Sequence, residues 1–217
     1  MPKVKIARKS TIVDMTAMCD VAFLLLSFFI LATKQKPDEV LSVNPPNSIS
    51  SKAAPEKSIL ITMTMDGRAF LTLGDETKKA EILENVNLTK SLGLSPAELA
   101  KWGKQDFIGL PLNMIKGSLA LQEPMPPSKM PGIPIKDSTN NEMVDWLRSV
   151  TNVYAGGDQT KLQEMLLVKG DNQARYPVFK NIKAAFKKNQ LYKFRIVTNG
   201  EAVPVGSELY NNPPATK

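Results

Sequence analysis

The sequence predicts a single transmembrane α-helix followed by an α/β (α+β) domain with a C-terminal strand–helix–strand unit. Three observations carry this. Nineteen residues between Asp14 and Lys34 hold a single charge, Asp20. Apolar residues alternate with period two near residues 58–73 and 165–197. Between them lie segments with helical spacing and a cluster of prolines.

The chain has 217 residues, enough for one or two small domains, and a formal net charge of +7. It contains no histidine and one cysteine, Cys19. His-based triads, His metal ligands, cysteine clusters and intrachain disulfides are therefore excluded. No catalytic residue, metal site or cofactor is expected. There is no paired-carboxylate arrangement, nucleophile elbow or phosphate loop, so an enzyme is not expected.

The charge is uneven. Lys3, Lys5, Arg8 and Lys9 stand in a basic tail, residues 1–13, without an acid among them. Residues 34–217 keep an excess of +5, with 24 basic and 19 acidic residues. This mild bias reads as a solvated basic surface. Zinc-ligand spacing, RNP-like aromatics and Arg clusters are missing, so no nucleic-acid partner is expected.

Residues 14–34 form the transmembrane helix, in contact with membrane lipid. The nineteen residues between Asp14 and Lys34 would extend about 28 Å, close to the roughly 30 Å of a hydrocarbon core. Val21 to Ala32 is apolar nearly all round, unlike an amphipathic core helix. Ala32-Thr33-Lys34 makes a poor signal-peptide cleavage site. The basic tail favours a cytoplasmic N-terminus and places the domain outside, in the periplasm of a cell with two membranes.

Asp20 lies about 6 Å along the axis from the middle of that run. An ionised Asp there costs roughly 2.5–3.5 kcal/mol on insertion scales. It must be protonated, or face a partner's polar surface or water. An acid that alternates between these states carries protons. Thr16, four residues before, and Ser27, seven after, share its face and form a supporting polar stripe. A structural alternative is that Asp20 holds helices together while Ser27 caps a local carbonyl.

The run Asp14-Met-Thr-Ala-Met-Cys-Asp20-Val-Ala-Phe-Leu-Leu-Leu-Ser-Phe-Phe-Ile-Leu resembles the ExbD/TolR family of biopolymer transport proteins, and Pro131-Gly-Ile-Pro with Asn140-Asn-Glu-Met-Val-Asp-Trp146 resembles the insert of its longer members. Val40-Leu-Ser-Val-Asn-Pro-Pro-Asn-Ser48 resembles the family's short extended segment. Leu166-Leu-Val-Lys-Gly-Asp171 with Tyr176–Thr198 resembles its strand–helix–strand unit. The family often has Pro where this chain has Ala17, and usually Asn-Leu-Pro where this chain has Asn44-Pro45-Pro46. The resemblance implies a proton-motive-force-driven motor subunit in a cell inner membrane. It implies a homodimer, working with an ExbB/TolQ-like polytopic membrane protein and a TonB/TolA-like transducer. Val43, Asn44, Pro45 and Pro46 would then be the linker segment that meets a partner or holds the motor quiet. Two alternatives are a membrane-anchored structural or adaptor protein without proton conduction, and a flagellar-type stator subunit. The stator reading would require a peptidoglycan-binding domain, for which no signature is present.

Residues 35–57, rich in Pro, Ser and Asn, read as an extended linker. The domain is expected over residues 58–200. Ile59, Ile61, Met63 and Met65 alternate along a first strand. Asp66-Gly67 signals a hairpin turn, and Ala69–Leu73 returns. A helical, Pro-rich insert spans about residues 75–160. Helices are expected over Lys78–Leu92, over Pro96–Phe107 with Ser95 as cap, over Leu110–Leu121 and over Asn141–Val150. Five prolines between Glu123 and Asp137 mark a loop. Met165–Lys169 reads as a strand, Asp171–Ala174 as a turn, and Pro177 opens a helix ending near Asn189, where a left-handed residue is tolerated. Tyr192, Phe194 and Ile196 alternate along a last strand, completing a βαβ crossover. Residues 201–217, with three prolines, read as a disordered tail.

Overall fold

A computed structural model of the protein describes residues 15–32, 41–49, 53–55, 57–121, 125–136, 140–154, 159–207 and 210. The basic tail with Lys3, Lys5, Arg8 and Lys9 lies outside them, as do residues 211–217. The chain divides into two compact units, Met1–Glu39 and Val40–Lys217.

The first unit contains helix α1, Met15–Ala32. Its 18 residues span about 27 Å. None of its side chains is buried, and its apolar residues point outward all round. It is the one helix among the described residues that is long and apolar enough to cross a membrane.

The second unit is built on a four-stranded mixed sheet. The strands are β2 (Ile59–Met63), β3 (Ala69–Leu73), β4 (Leu166–Gly170) and β5 (Arg195–Val197), in spatial order β3-β2-β4-β5. A two-residue strand β1 (Asn47–Ser48) stands apart from them. β2 and β3 form an antiparallel hairpin, turned at Gly67 with φ +82°. β4 is parallel to β2, and β5 is parallel to β4. Ile59, Ile61 and Met63 sit in register with Leu166, Val168 and Gly170, so one apolar face runs continuously across both strands.

Helices cover that sheet. They are α2 (Glu76–Lys90), α3 (Pro96–Gly103), α4 (Leu112–Leu119), α5 (Glu142–Tyr154), α6 (Gln159–Met165) and α7 (Tyr176–Lys188). Asp75 caps α2, and Ser95 with Glu98 forms a capping box on α3. Met143, Trp146, Leu147 and Val150 make the buried stripe of α5 at helical spacing. Trp146 meets Trp102 of α3 edge-on, with ring centroids 5.6 Å apart. α7 buries Ile182, Ala185 and Phe186. The connection β4–α7–β5 is the expected βαβ unit.

The insert is stitched to the outer edge of β3. Leu71 and Ile108 exchange both backbone hydrogen bonds at 2.8 Å, and the Ile133 N–H donates to the Ala69 carbonyl at 2.8 Å. Arg68 donates to the carbonyls of Ser128 and Met130 at 3.0 Å each, and its guanidinium lies 5.7 Å from the centre of the Phe70 ring. A sheet edge that would otherwise expose unpaired backbone groups is thus partly closed by the insert.

Several details differ from what the sequence leads one to expect, among them β1 and α6, which it does not signal. Residues 41–49 are not a free linker: they belong to the compact unit, with Leu41 and Val43 in its core. Glu201, read as the start of a disordered tail, donates its N–H to the Ser48 carbonyl at 2.9 Å. The last strand is short, because Tyr192 is 70% exposed and ladder pairing begins only at Arg195. The left-handed residue after α7 is Gln190, with φ +58°, whereas Asn189 has φ −101°. The Asn189 side chain instead donates to the carbonyls of Val144 and Ala185 at 3.0 Å each, tying α7 to α5.

Candidate functional site

The candidate residues fall into two sets on different units. The first lies on α1. Helical geometry of 3.6 residues per turn puts Thr16, Asp20 and Ser27 within an arc of about 40°. Asp20 is exposed on the helix surface. The Ser27 hydroxyl donates to the Leu24 carbonyl at 3.0 Å, so its proton is used within the helix. Asp20 is the one carboxylic acid on α1, with hydroxyls one turn before it and two turns after.

The second set is the segment Val43, Asn44, Pro45, Pro46, and here the packing is specific. Val43 is 6% exposed and Pro45 is buried. The Asn44 N–H donates to the Asp171 carboxylate at 3.0 Å, and the Asn172 N–H donates to the Asn44 carbonyl at 2.9 Å. The Asn199 side chain donates to the Pro45 carbonyl at 3.1 Å, while its backbone N–H donates to the Pro46 carbonyl at 2.9 Å. Past the prolines, β1 pairs in parallel with β6, Asn199–Gly200. Proline carries no N–H, so Pro45 and Pro46 serve this contact only as acceptors and as a stiff, extended spacer.

Asp171 organises the junction. It follows β4 directly, and its own N–H donates to the Met63 carbonyl at 3.1 Å, anchoring it to the end of β2. One carboxylate oxygen accepts from Asn44 and the other from the Gln173 N–H at 2.9 Å. These donors, Asn44 first and Gln173 second, hold the Asp171 carboxyl below the usual carboxylate range. In sequence, Asp171 opens an expected turn over Asp171–Ala174. The turn is present, with the Ala174 N–H on the Asp171 carbonyl at 2.9 Å, but the same side chain also holds the segment before the domain. Its place at a predicted strand end and its likeness to a known strand–helix–strand segment are the signals in sequence, and neither shows the contact with Asn44, which spans 127 positions.

Among the described residues no group of three or more His, Cys, Asp or Glu side chains is placed to hold a metal ion.

A family model for biopolymer transport protein ExbD/TolR matches residues 7–201. No curated protein and no solved structure matches the chain. The family match runs through Asp20, Asn44 and Asp171 alike, and by it the chain belongs to the ExbD/TolR family of biopolymer transport proteins.

Proposed function

We propose that this chain is the proton-motive-force-driven motor subunit of a complex of the ExbB-ExbD-TonB or TolQ-TolR-TolA type. In this reading Asp20 carries protons in the cell inner membrane. The N-terminus is cytoplasmic and the α/β body periplasmic, in line with the basic residues that precede α1 and with the positive-inside rule. The observation that carries the proposal is one acid on an α1 surface that is otherwise uncharged and unburied. Such a group needs a polar partner in the bilayer, which a polytopic ExbB/TolQ-like protein would supply. Two copies of the chain and a TonB/TolA-like transducer complete the complex. In the same reading, the docked segment Val43–Pro46 is the element that a partner would release or hold.

Asp20→Asn tests it. Asn keeps the size and most hydrogen bonds of Asp but not its proton equilibrium. Energy-dependent uptake in cells is expected to be abolished, with the membrane partner still co-purifying. Full activity of Asp20→Asn would leave Asp20 a structural contact and overturn the motor reading.

A further inference from the structure

Residues 172–200 contain seven Lys or Arg and no Asp or Glu. The excess charge of this stretch equals the +7 of the whole chain. The mild basic bias of the body is therefore a local feature of α7 and the strand after it.

The fold gathers part of this charge beside a cavity. Lys180, Lys183 and Lys187 lie on one face of α7 at helical spacing and line a groove of about 400 Å³. The opposite wall is the segment leading into β5. The floor is apolar: Phe186 is 1% exposed, Leu191 is 3% exposed, and Phe194 stacks on Phe186 with ring centroids 5.1 Å apart. Tyr192 stands at the rim, its side chain in solvent. None of the three lysines meets a carboxylate among the described residues. Like charges at i, i+3 and i+4 spacing oppose helix formation; Lys187 lies in the last turn of α7, where the helix end favours a cation, whereas Lys180 and Lys183 lie before that turn.

We propose that this groove docks a polypeptide partner through an acidic segment that carries a large apolar side chain. Aspartates or glutamates of the partner would meet the lysine row, and the apolar side chain would enter the groove above Phe186 and Leu191. Charge complementarity selects the sign of the partner and speeds the encounter, while the aromatic floor supplies the buried anchor. The concave shape favours a peptide over a membrane. A lipid surface would meet the lysines, but it is flat on this scale and leaves the groove floor uncovered. The inference concerns a surface of the body and stands whether or not Asp20 carries protons.

The test uses the full chain in nanodiscs of neutral lipid, panned against a library of random dodecapeptides. The selected peptides are expected to be rich in Asp and Glu around an aromatic or aliphatic residue. Fluorescence anisotropy with a selected peptide should show at least about tenfold weaker binding to the triple variant Lys180→Glu, Lys183→Glu, Lys187→Glu. Ala184→Trp, which fills the groove without changing its charge, should weaken binding as well. Circular dichroism checks that each variant keeps the fold; all four positions are exposed. Peptides without acidic bias, or equal binding to wild type and both variants, would overturn the proposal. So would a lysine-dependent association with phosphatidylglycerol vesicles and no selected peptide, which would make this face a membrane contact.

Discussion

The Asp171 carboxylate accepts the backbone N–H of Asn44 at 3.0 Å, joining positions 127 residues apart. One side chain thus fixes the end of β4 and the entry of the chain into the body. The neighbouring bonds follow in sequence: Asn172 to Asn44, Asn199 to Pro46, Glu201 to Ser48. The segment that precedes the body and the segment that ends it are zipped together beside the sheet.

Asp171→Ala is expected to loosen that zipper while the sheet persists. Amide hydrogen exchange at Asn44, Asn199 and Glu201 should speed up, with Ile61 and Val168 unchanged. Asp171→Asn keeps an acceptor and should fall between the two. The pH dependence has a definite sign. The folded-state carboxyl is held below its ordinary value of 3.8, so its contribution is complete above that value and is lost as pH falls through the lowered one. Exchange at Asn44 should therefore be flat at neutral pH, after correction for intrinsic rates, and rise relative to Val168 only in acid below about pH 3.8. Unchanged exchange in Asp171→Ala would show that the bonds made by Asn172, Asn199 and Glu201 hold the segment without the carboxylate.

Most of the sheet was legible because alternation is a local signal. Ile59, Ile61 and Met63 announce β2, and the Asp66-Gly67 pair announces its turn. β1 was not legible: two residues have no period, and their partner lies about 150 positions away, by the same zipper that joins Asn199 to Pro45. Prolines and serines made that segment look like a tether, whereas its apolar residues Leu41 and Val43 enter the core. α6 was missed because only Leu162 is buried in seven residues, too few to set a helical stripe. At the candidate site, Asp20 could be found from sequence because charge in an apolar run stands out. The second role of Asp171 could not, because it depends on a contact made only in the folded chain.

Glu142 offers a separable test of the insert. Its carboxylate accepts the Leu112 N–H at 2.9 Å and caps α4, whose own cap residue, Pro111, offers no side-chain acceptor. Burial, the leading cause, pushes the Glu142 carboxyl above its ordinary value of 4.5. Its protonated form is thus favoured in the folded state, and that stabilisation is lost as pH rises from 4.5 through the raised value. Glu142→Gln keeps an acceptor without the buried charge. Its melting temperature at neutral pH is expected to equal or exceed wild type. Glu142→Ala removes the cap and should cost about 0.5–2 kcal/mol. A Gln variant as unstable as the Ala variant would mean that the charge, not the acceptor, matters.

Gly109 tests how tightly the insert is joined to the sheet. A Cβ there would lie 2.3 and 2.5 Å from two carbons of the Phe70 ring, and Phe70 is 0% exposed. The ring has nowhere to move without displacing β3 or the loop. Gly109→Ala should destabilise by about 1–3 kcal/mol, measured by thermal or denaturant unfolding of the purified chain. Gly117→Ala is the control, because nothing lies within 4 Å of its added Cβ. It sits in α4, so Ala there should be neutral or stabilising. Equal melting of the two variants would show that the insert docks loosely on β3.

The polar face of α1 permits a graded test of mechanism. The Ser27 hydroxyl already donates to Leu24, so Ser27→Ala removes a bond internal to the helix and should leave uptake near wild type. Thr16 stands one turn from Asp20, against two turns for Ser27, and should matter more because it is the nearer hydroxyl along the helix. Thr16→Ala is expected to slow uptake without stopping it. Asp20→Glu retains an ionisable group on a longer arm and should keep part of the activity that Asp20→Asn loses. This order follows from energy. A membrane potential supplies about 2.3 kcal/mol per charge per 100 mV, comparable to the cost of holding the ionised acid in the bilayer. Only a group that exchanges its proton couples the two. If Asp20→Glu and Asp20→Asn were equally inactive while both retained the partner, the geometry at this position would matter more than its proton. If Ser27→Ala were as damaging as Asp20→Asn, the serine would have to leave Leu24 and act toward a partner, and the local bond seen here would be only its resting state.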